Sequence, residues 1–320
     1  MSAGPLEQAA VFAGRAPSLH NSQPWHWYAA DGRLDLRLEP SRVLHSSDPH
    51  ARLAILSCGA ALHHARVHLS AAGLRIDVIR VPDPDDPTLL ARLLPGDPAL
   101  PDRDAERMAR AATHRHTDRR GTPSAPLDRH RVQSIRRAVH GGGAGLAVVR
   151  PDQLFTLAQA AEHAHGIEEA DPGWQVEVAR WVGGDRPSGV GIPASALPED
   201  PYLLTAPARV LRRTATALVA DSRHHAAVFT ILHTSGDGRL DWLVAGEGLS
   251  AGWLTATDLD VAVLPLSVVT EVARSRDRIR SLLDRSGNPQ LILRLAVAGA
   301  ETPPFTPRLA AESVVTAAHP

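Results

Sequence analysis

The feature that most constrains this chain is a stretch that occurs twice. Arg52-Leu53-Ala54-Ile55-Leu56-Ser57-Cys58-Gly59-Ala60-Ala61-Leu62 and Arg239-Leu240-Asp241-Trp242-Leu243-Val244-Ala245-Gly246-Glu247-Gly248-Leu249 share the pattern Arg-Leu-x-x-Leu-x-x-Gly-x-x-Leu. Each follows a Leu-His-Ser/Thr-Ser segment and an aspartate, at Leu44 to Asp48 and Leu232 to Asp237, and each leads into a strand containing Ile or Val. Apolar spacing alone recurs between any two amphipathic helices. A shared arginine and a shared small glycine are not demanded by amphipathicity, and they favour duplication. The chain therefore reads as two fused copies of one α+β unit, able to imitate a homodimer. At 320 residues it suits two units of roughly 100 to 200 residues each, expected at 1–100 and 101–320.

Punctuation by Pro and Gly supplies the remaining order. Pro5 to Arg15 reads as a helix, and Pro17 and Pro24 bracket a loop that cannot continue it. Alternation over Leu34 to Leu38 predicts a strand, followed by a helix over Arg52 to Ala72, a strand over Leu74 to Val81 and a connector over Pro82 to Pro101. Further helices are expected over Ala105 to Ala112, Val132 to Val139, Pro151 to Glu169, Ala208 to Ala220 and Leu240 to Thr257. Strands are expected over Gly145 to Val149, Ala226 to Leu232 and Leu291 to Val297. Asp171 to Pro207, rich in Gly and Pro and carrying Trp174 and Trp181, shows no clear period and reads as a lid-like insert in the second unit.

Composition removes several kinds of chemistry. All 34 basic side chains are arginine, so Schiff-base lysines and the P-loop lysine are excluded. Cys58 is the only cysteine, which rules out intramolecular disulfides and multi-thiolate zinc sites and suits a reducing compartment. A net charge of -1 gives no global field toward nucleic acid or an anionic membrane. Met1 to Phe12 lacks the basic and apolar regions of a secretion signal, and no stretch reaches the ~20 apolar residues of a membrane helix; a cytoplasmic protein is the expectation.

Among residues that can carry chemistry, the amides of Asn21 and Gln23 each offer a donor and an acceptor on a loop stiffened by Pro17 and Pro24. A flavin ring needs that mixture, since its N3-H donates while O2, O4 and N5 accept. The same residues also suit a capped helix end before a strand that packs Trp25 and Trp27 in the core. Arg115, Arg119 and Arg120 with Thr117 concentrate guanidiniums and a hydroxyl as a phosphate monoester requires, or form a solvated charge cluster offset by Asp118. Arg308 sits alone on a Pro-rich tail. Seventeen histidines include His64 and His68 at i, i+4, but no third ligand stands at motif distance, so no metal is expected. A Gly-x-Ser-x-Gly elbow is absent, and Gly141-Gly142-Gly143 precedes a strand as a turn does.

Taken together, Ala16-Pro17-Ser18-x-x-Asn21-x-Gln23-Pro24-Trp25, Arg115-His116-Thr117-x-Arg119 and the Gly-Asn-Pro-Gln-Leu-Ile-Leu-Arg strand from Gly287 resemble the nitroreductase superfamily. Their order, with the Leu-His-Ser-Ser-Asp-Pro segment, Asp241-Trp242-Leu243-x-Ala245-Gly246 and Gly191-Ile192-Pro193-Ala194, is similar to the Acg-type branch. The resemblance implies an α+β fold of two fused pseudo-symmetric units, each with a helix-flanked antiparallel or mixed sheet, and one FMN at their junction. By that resemblance Pro17, Ser18, Asn21 and Gln23 meet Arg115, His116, Thr117, Arg119, Glu247, Gly248, Leu249 and Arg308 around the cofactor. The first half lacks a phosphate clamp before Arg15 and has Ala60-Ala61 where the second has Glu247-Gly248, so one of the two pseudo-symmetric sites is expected to be degenerate.

The implied activity is hydride transfer from NAD(P)H through flavin to a nitroaromatic or quinone acceptor. The cofactor does that chemistry, so no side-chain acid or base is assigned. Two alternatives stay open. A lid closed over the ring would make an FMN-storage protein with little turnover, and a metal-binding or purely structural dimer mimic would be colourless.

Overall fold

The computed structural model of the chain describes residues 4–30, 32–119, 125–183, 189–197, 227–283, 287–300 and 304–317. The helix expected over Ala208 to Ala220, and residues 184–188 and 198–207 of the insert, lie outside the described residues. In chain order the elements are α1 (Pro5–Ala13), β1 (Trp25–Ala30), β2 (Arg33–Leu38), α2 (Arg52–Ala71), β3 (Leu74–Arg80), β4 (Leu89–Pro98), α3 (Arg103–His114) and α4 (Arg129–Gly141). Then follow β5 (Gly145–Val148), α5 (Leu154–Ala170), α6 (Pro172–Trp181), β6 (Ala227–Thr234), α7 (Arg239–Asp258), β7 (Val261–Leu266), α8 (Val268–Glu271), α9 (Ala273–Arg280), β8 (Asn288–Val297) and β9 (Val315–Ala317).

Two sheets result, ordered β3-β4-β2-β1-β9 and β5-β6-β8-β7. Reversed, the second reads β7-β8-β6-β5, so each strand of one unit has a counterpart in the other and the long helix joins the same two strands in both. Neighbours within these four-strand sets are antiparallel. The fold is thus a fused pair of α+β units. β9 returns from the end of the chain and pairs in parallel with β1, making the first sheet mixed. Trp25 and Trp27, alternating along β1, are fully buried in the first core.

Helices α2 and α7 cross where the repeated motif places its glycines. A Cβ on Gly59 would lie 2.0 Å from the Leu243 carbonyl oxygen, and one on Gly246 would lie 1.9 Å from that of Leu56. Only glycine lets the two backbones approach so closely. The shared motif is therefore the contact between the copies, with positions 187 apart in sequence facing one another across a pseudo-twofold axis.

Two expectations are corrected. The connector Pro82 to Pro101 contains β4, whose Leu89 to Leu93 run is buried between β2 and β3, while Pro95 and Pro98 fall against the end of β3 where the register shifts. The insert is not structureless either. Asp171 caps α6 by accepting from the N-H groups of Gly173 and Trp174, and Trp174, Val178 and Trp181 recur at helical spacing and are buried. This insert lies between β5 and β6, where the first unit has only the tight β1–β2 hairpin.

Candidate functional site

A cleft with about 1240 Å³ of empty space, solvent mouth included, opens where the two units meet. Even allowing for the mouth, that is room for a ligand of the class that fills pockets of ~300–1000 Å³. The first unit contributes the loop Pro17 to Asn21 and, from α2, Leu53, Leu56 and Ser57. From the second come Leu249 and Trp253 of α7, Leu264 to Leu266 of β7 and Ser267. Arg115, Thr117 and Arg119 close one wall, Thr306 and Arg308 of the tail another, and Val178, Val182, Ile192 and Leu197 of the insert a third.

The loop is held in an uncommon shape. His20, Asn21 and Gln23 have φ of 44°, 57° and 50°, a left-handed region that costs side-chain-bearing residues about 1–3 kcal/mol each. Hydrogen bonds offset this. Asn21 Nδ2 donates to the carbonyls of Gly191 (3.0 Å) and Pro307 (2.9 Å), and Asn21 Oδ1 accepts from Arg308 Nη1 at 3.0 Å. Gln23 Nε2 donates to Gly189 O, and Gln23 Oε1 accepts from Leu309 N at 3.1 Å. Ser18 Oγ accepts from Gln23 N, and Leu19 N donates to Ser57 Oγ.

Pro17, Ser18 and Asn21 therefore face the cleft, while Gln23 does not line it; its amide stitches the loop to the insert and the tail. His20, absent from the sequence-derived set, does line it. Burial, followed by the Arg119 charge, lowers its pKa to about 4, so the imidazole is neutral at pH 7.

The cationic corner is built around Arg115. It is buried, stacks over the Trp253 ring at 4.8 Å and donates through Nη2 to Arg15 O at 3.2 Å. Among the described residues its Nε and Nη1 are buried with no hydrogen-bond partner, as is Nε of Arg308. Burial, then the charges of Arg308 and Arg119, lower the Arg115 pKa to about 9; burial brings Arg119 and Arg308 to about 10. Buried guanidiniums that crowd Arg115 and retain unused donors form a site complementary to an anion. Thr117 adds a hydroxyl on the same wall.

Three sequence-derived residues lie elsewhere. His116 sits edge-on to Phe305 with its Nδ1 against His114 O, outside the cleft lining. Glu247 is buried on the opposite side of α7, bound by Arg66 Nη1 at 2.6 Å and by Arg80 Nε at 2.6 Å. The helical repeat explains this: Leu249 and Trp253, at i and i+4, face the cleft, and Glu247 stands about 200° round from Leu249. Gly248 packs on α4 and the turn after it, where a Cβ would meet that of Ala144 at 2.8 Å.

The Glu247 cluster occupies the pseudo-symmetric mate of the cleft. At the 187-residue spacing Arg66 corresponds to Trp253, Arg80 to Ser267 and Glu247 to Ala60. An ion cluster stands in the mate where the cleft has a ring and a hydroxyl, Ala60 being buried in the first core.

A cleft between two like units, walled by apolar side chains and closed by guanidiniums, defines a fused α+β protein with a composite anion site. No family model matches the chain. Two Mycobacterium tuberculosis proteins, named "Putative NAD(P)H nitroreductase acg" and "Putative NAD(P)H nitroreductase Rv3131", are each 35% identical to it over 314 residues, covering 95% of this chain and 92% and 89% of their own. The solved structure of the FMN-dependent nitroreductase NfnB from Mycobacterium smegmatis in complex with NADPH is similar at a TM-score of 0.46 and 12% identity, over 67% of this chain and 99% of that one. The chain belongs to the nitroreductase superfamily, with acg among its relatives.

Proposed function

We propose that the cleft binds FMN and that the chain is a flavin oxidoreductase taking hydride from NAD(P)H and passing it to a nitroaromatic or quinone acceptor. The observation that carries this reading is the pair of buried donors on Arg115 that have no partner among the described residues, at the cationic end of an otherwise apolar cleft. A phosphate monoester offers acceptors matched to those donors, and apolar walls from α2, α7 and the insert suit a flat ring system. The residues present therefore fit the group. Arg115, Thr117, Arg119 and Arg308 take the phosphate, and Pro17, Ser18, Asn21 and Leu249, together with Trp253, bound the rest. FMN, when bound, supplies the two-electron hydride chemistry, while the protein supplies position, charge and exclusion of water.

Family membership and the names of the relatives support the activity; the particular acceptor rests on the cleft's apolar lining. The division into units 1–100 and 101–320 is kept as a working one, with the tail crossing back to complete the first sheet. As two units are already joined in one chain, we take the protein to act as a monomeric pseudo-dimer. Among the described residues no helix is long and apolar enough to cross a membrane; a cytoplasmic location fits the single buried Cys58.

One observation favours the storage reading. The insert forms a cleft wall and is latched to the first unit, where Glu177 of α6 accepts from Ser46 N, Ser47 N and Ser47 Oγ. A lid that stayed latched would exclude nicotinamide. The absorption spectrum of the purified chain, followed by anaerobic NADPH, separates the cases. Yellow protein that bleaches supports the reductase, yellow protein that does not bleach supports storage, and a colourless protein that takes up no added FMN removes both.

A further inference from the structure

Behind the cleft wall lies a group of acids that the function above does not use. Glu168 on α5 is 3% exposed, and among the described residues neither of its carboxylate oxygens has a hydrogen-bond partner of ordinary geometry, nor does Glu271 Oε2 at the end of α8. The helices that carry them pack together, and each carboxyl perturbs the protonation of the other. Glu271 is in turn hydrogen-bonded by the side chain of Ser267, and Ser267 lines the cleft.

The charged and titratable neighbours are few. His165, on the same helix as Glu168, places Nδ1 at 3.8 Å from Glu168 Oε2. Asp48, before α2, adds further negative potential at Glu271. The charge of Arg52 of α2 reaches Glu271, but its guanidinium donates to Gln290 O and Thr270 O rather than to either acid.

We propose that Glu168, Glu271 and the Ser267 hydroxyl form a proton relay into the cleft, delivering the proton that an acceptor takes up along with a hydride. This rests on the oxidoreductase reading. Reduction of a quinone needs a hydride, carrying two electrons and one proton, plus one further proton to give the hydroquinone. The Ser267 O–H gives its proton to the quinone oxygen and takes the Glu271 proton in exchange. Glu271 is left as carboxylate and recovers a proton from Glu168 and ultimately from solvent.

The electrostatics suit a store of this kind. Burial raises the Glu168 pKa to about 8, and burial followed by the neighbouring Glu168 carboxyl pushes Glu271 well above the usual range, which favours the protonated form of the pair.

The test uses the full chain in three forms: wild type, Glu271→Gln and Ser267→Ala. In the apo proteins, infrared spectroscopy at pH 7 reads protonated carboxyl groups. The band is expected in wild type and Ser267→Ala and reduced in Glu271→Gln. In the flavin-loaded proteins, bleaching by NADPH is recorded separately, so that hydride delivery to the flavin and re-oxidation by the acceptor are read as two rates. Re-oxidation by a benzoquinone should fall about 10²-fold in both variants, with loss of the wild-type decline above pH 8 and of its solvent isotope effect. A colourless protein overturns the flavin reading, and the relay with it. Yellow variants that re-oxidise at the wild-type rate with an unchanged pH profile overturn the relay alone, as does an apo protein with no carboxyl band at pH 7.

Discussion

A single guanidinium shows how burial creates specificity here. Arg115 has its face covered by Trp253 and one nitrogen bonded to a backbone carbonyl, which leaves two buried donors without a partner among the described residues. Replacing it by Gln removes charge and fork together, so FMN affinity should fall at least 100-fold with the melting temperature little changed; flavin fluorescence titration measures the first and calorimetry the second. A second prediction concerns Glu168. A carboxyl whose folded pKa is raised from 4.5 to about 8 makes the native state hold a proton that the unfolded chain has released, so stability is lost as pH rises between those values. Relative to wild type, Glu168→Gln should therefore gain up to a few kcal/mol in urea unfolding between pH 5 and pH 8. A constant difference across that range would show that Glu168 ionises normally. Much of the site's charge was legible in advance, because Arg115, Thr117, Arg119 and Arg308 declare themselves by residue type. The facing of Gln23 and Glu247 was not, since an amide or carboxylate looks the same in sequence whether it meets a ligand, a carbonyl or an arginine. His20, Trp253 and Ser267 became visible only when chain segments far apart in sequence were brought to one cleft.

Elements were easiest to read where one periodicity ran long. The two motif-bearing helices were placed to within a residue or two, because their apolar spacing extends over five turns and is closed by clear ends. α6 escaped notice because ten residues flanked by Gly and Pro give a weak period, and β4 because its apolar run is short and ends in prolines. The crossing of α2 and α7 is the most tightly specified element contact. Gly246→Ala would press a methyl into the Leu56 carbonyl, with no flexible side chain to yield, and the helices must move apart. Thermal or urea unfolding should show a loss of about 3 kcal/mol or more, and Gly59→Ala a comparable loss from the other side. An alanine variant of normal stability would mean that the helices can separate without harm to the cleft.

At the scale of the whole molecule, the duplicated motif announced the architecture, and the mirrored strand orders bear it out. What it could not disclose was the fate of the second junction. With Glu247, Arg66 and Arg80 filling the position that mirrors the cleft, titration with FMN should saturate at one equivalent per chain; two equivalents of equal affinity would mean that the ion cluster opens for ligand. Isothermal calorimetry with FMN measures this directly. The tail adds a further constraint, because β9 belongs in sequence to the second unit and in space to the first, so the halves are tied at both ends. A true homodimer must accept every substitution twice, once at each of its related junctions. Covalent joining removes that obligation: one junction here keeps a guanidinium stacked on an indole, while its twin was free to become a wholly ionic joint. The linker between the copies is thus what permits them to be unlike, giving one chain an asymmetry that no pair of identical subunits could encode.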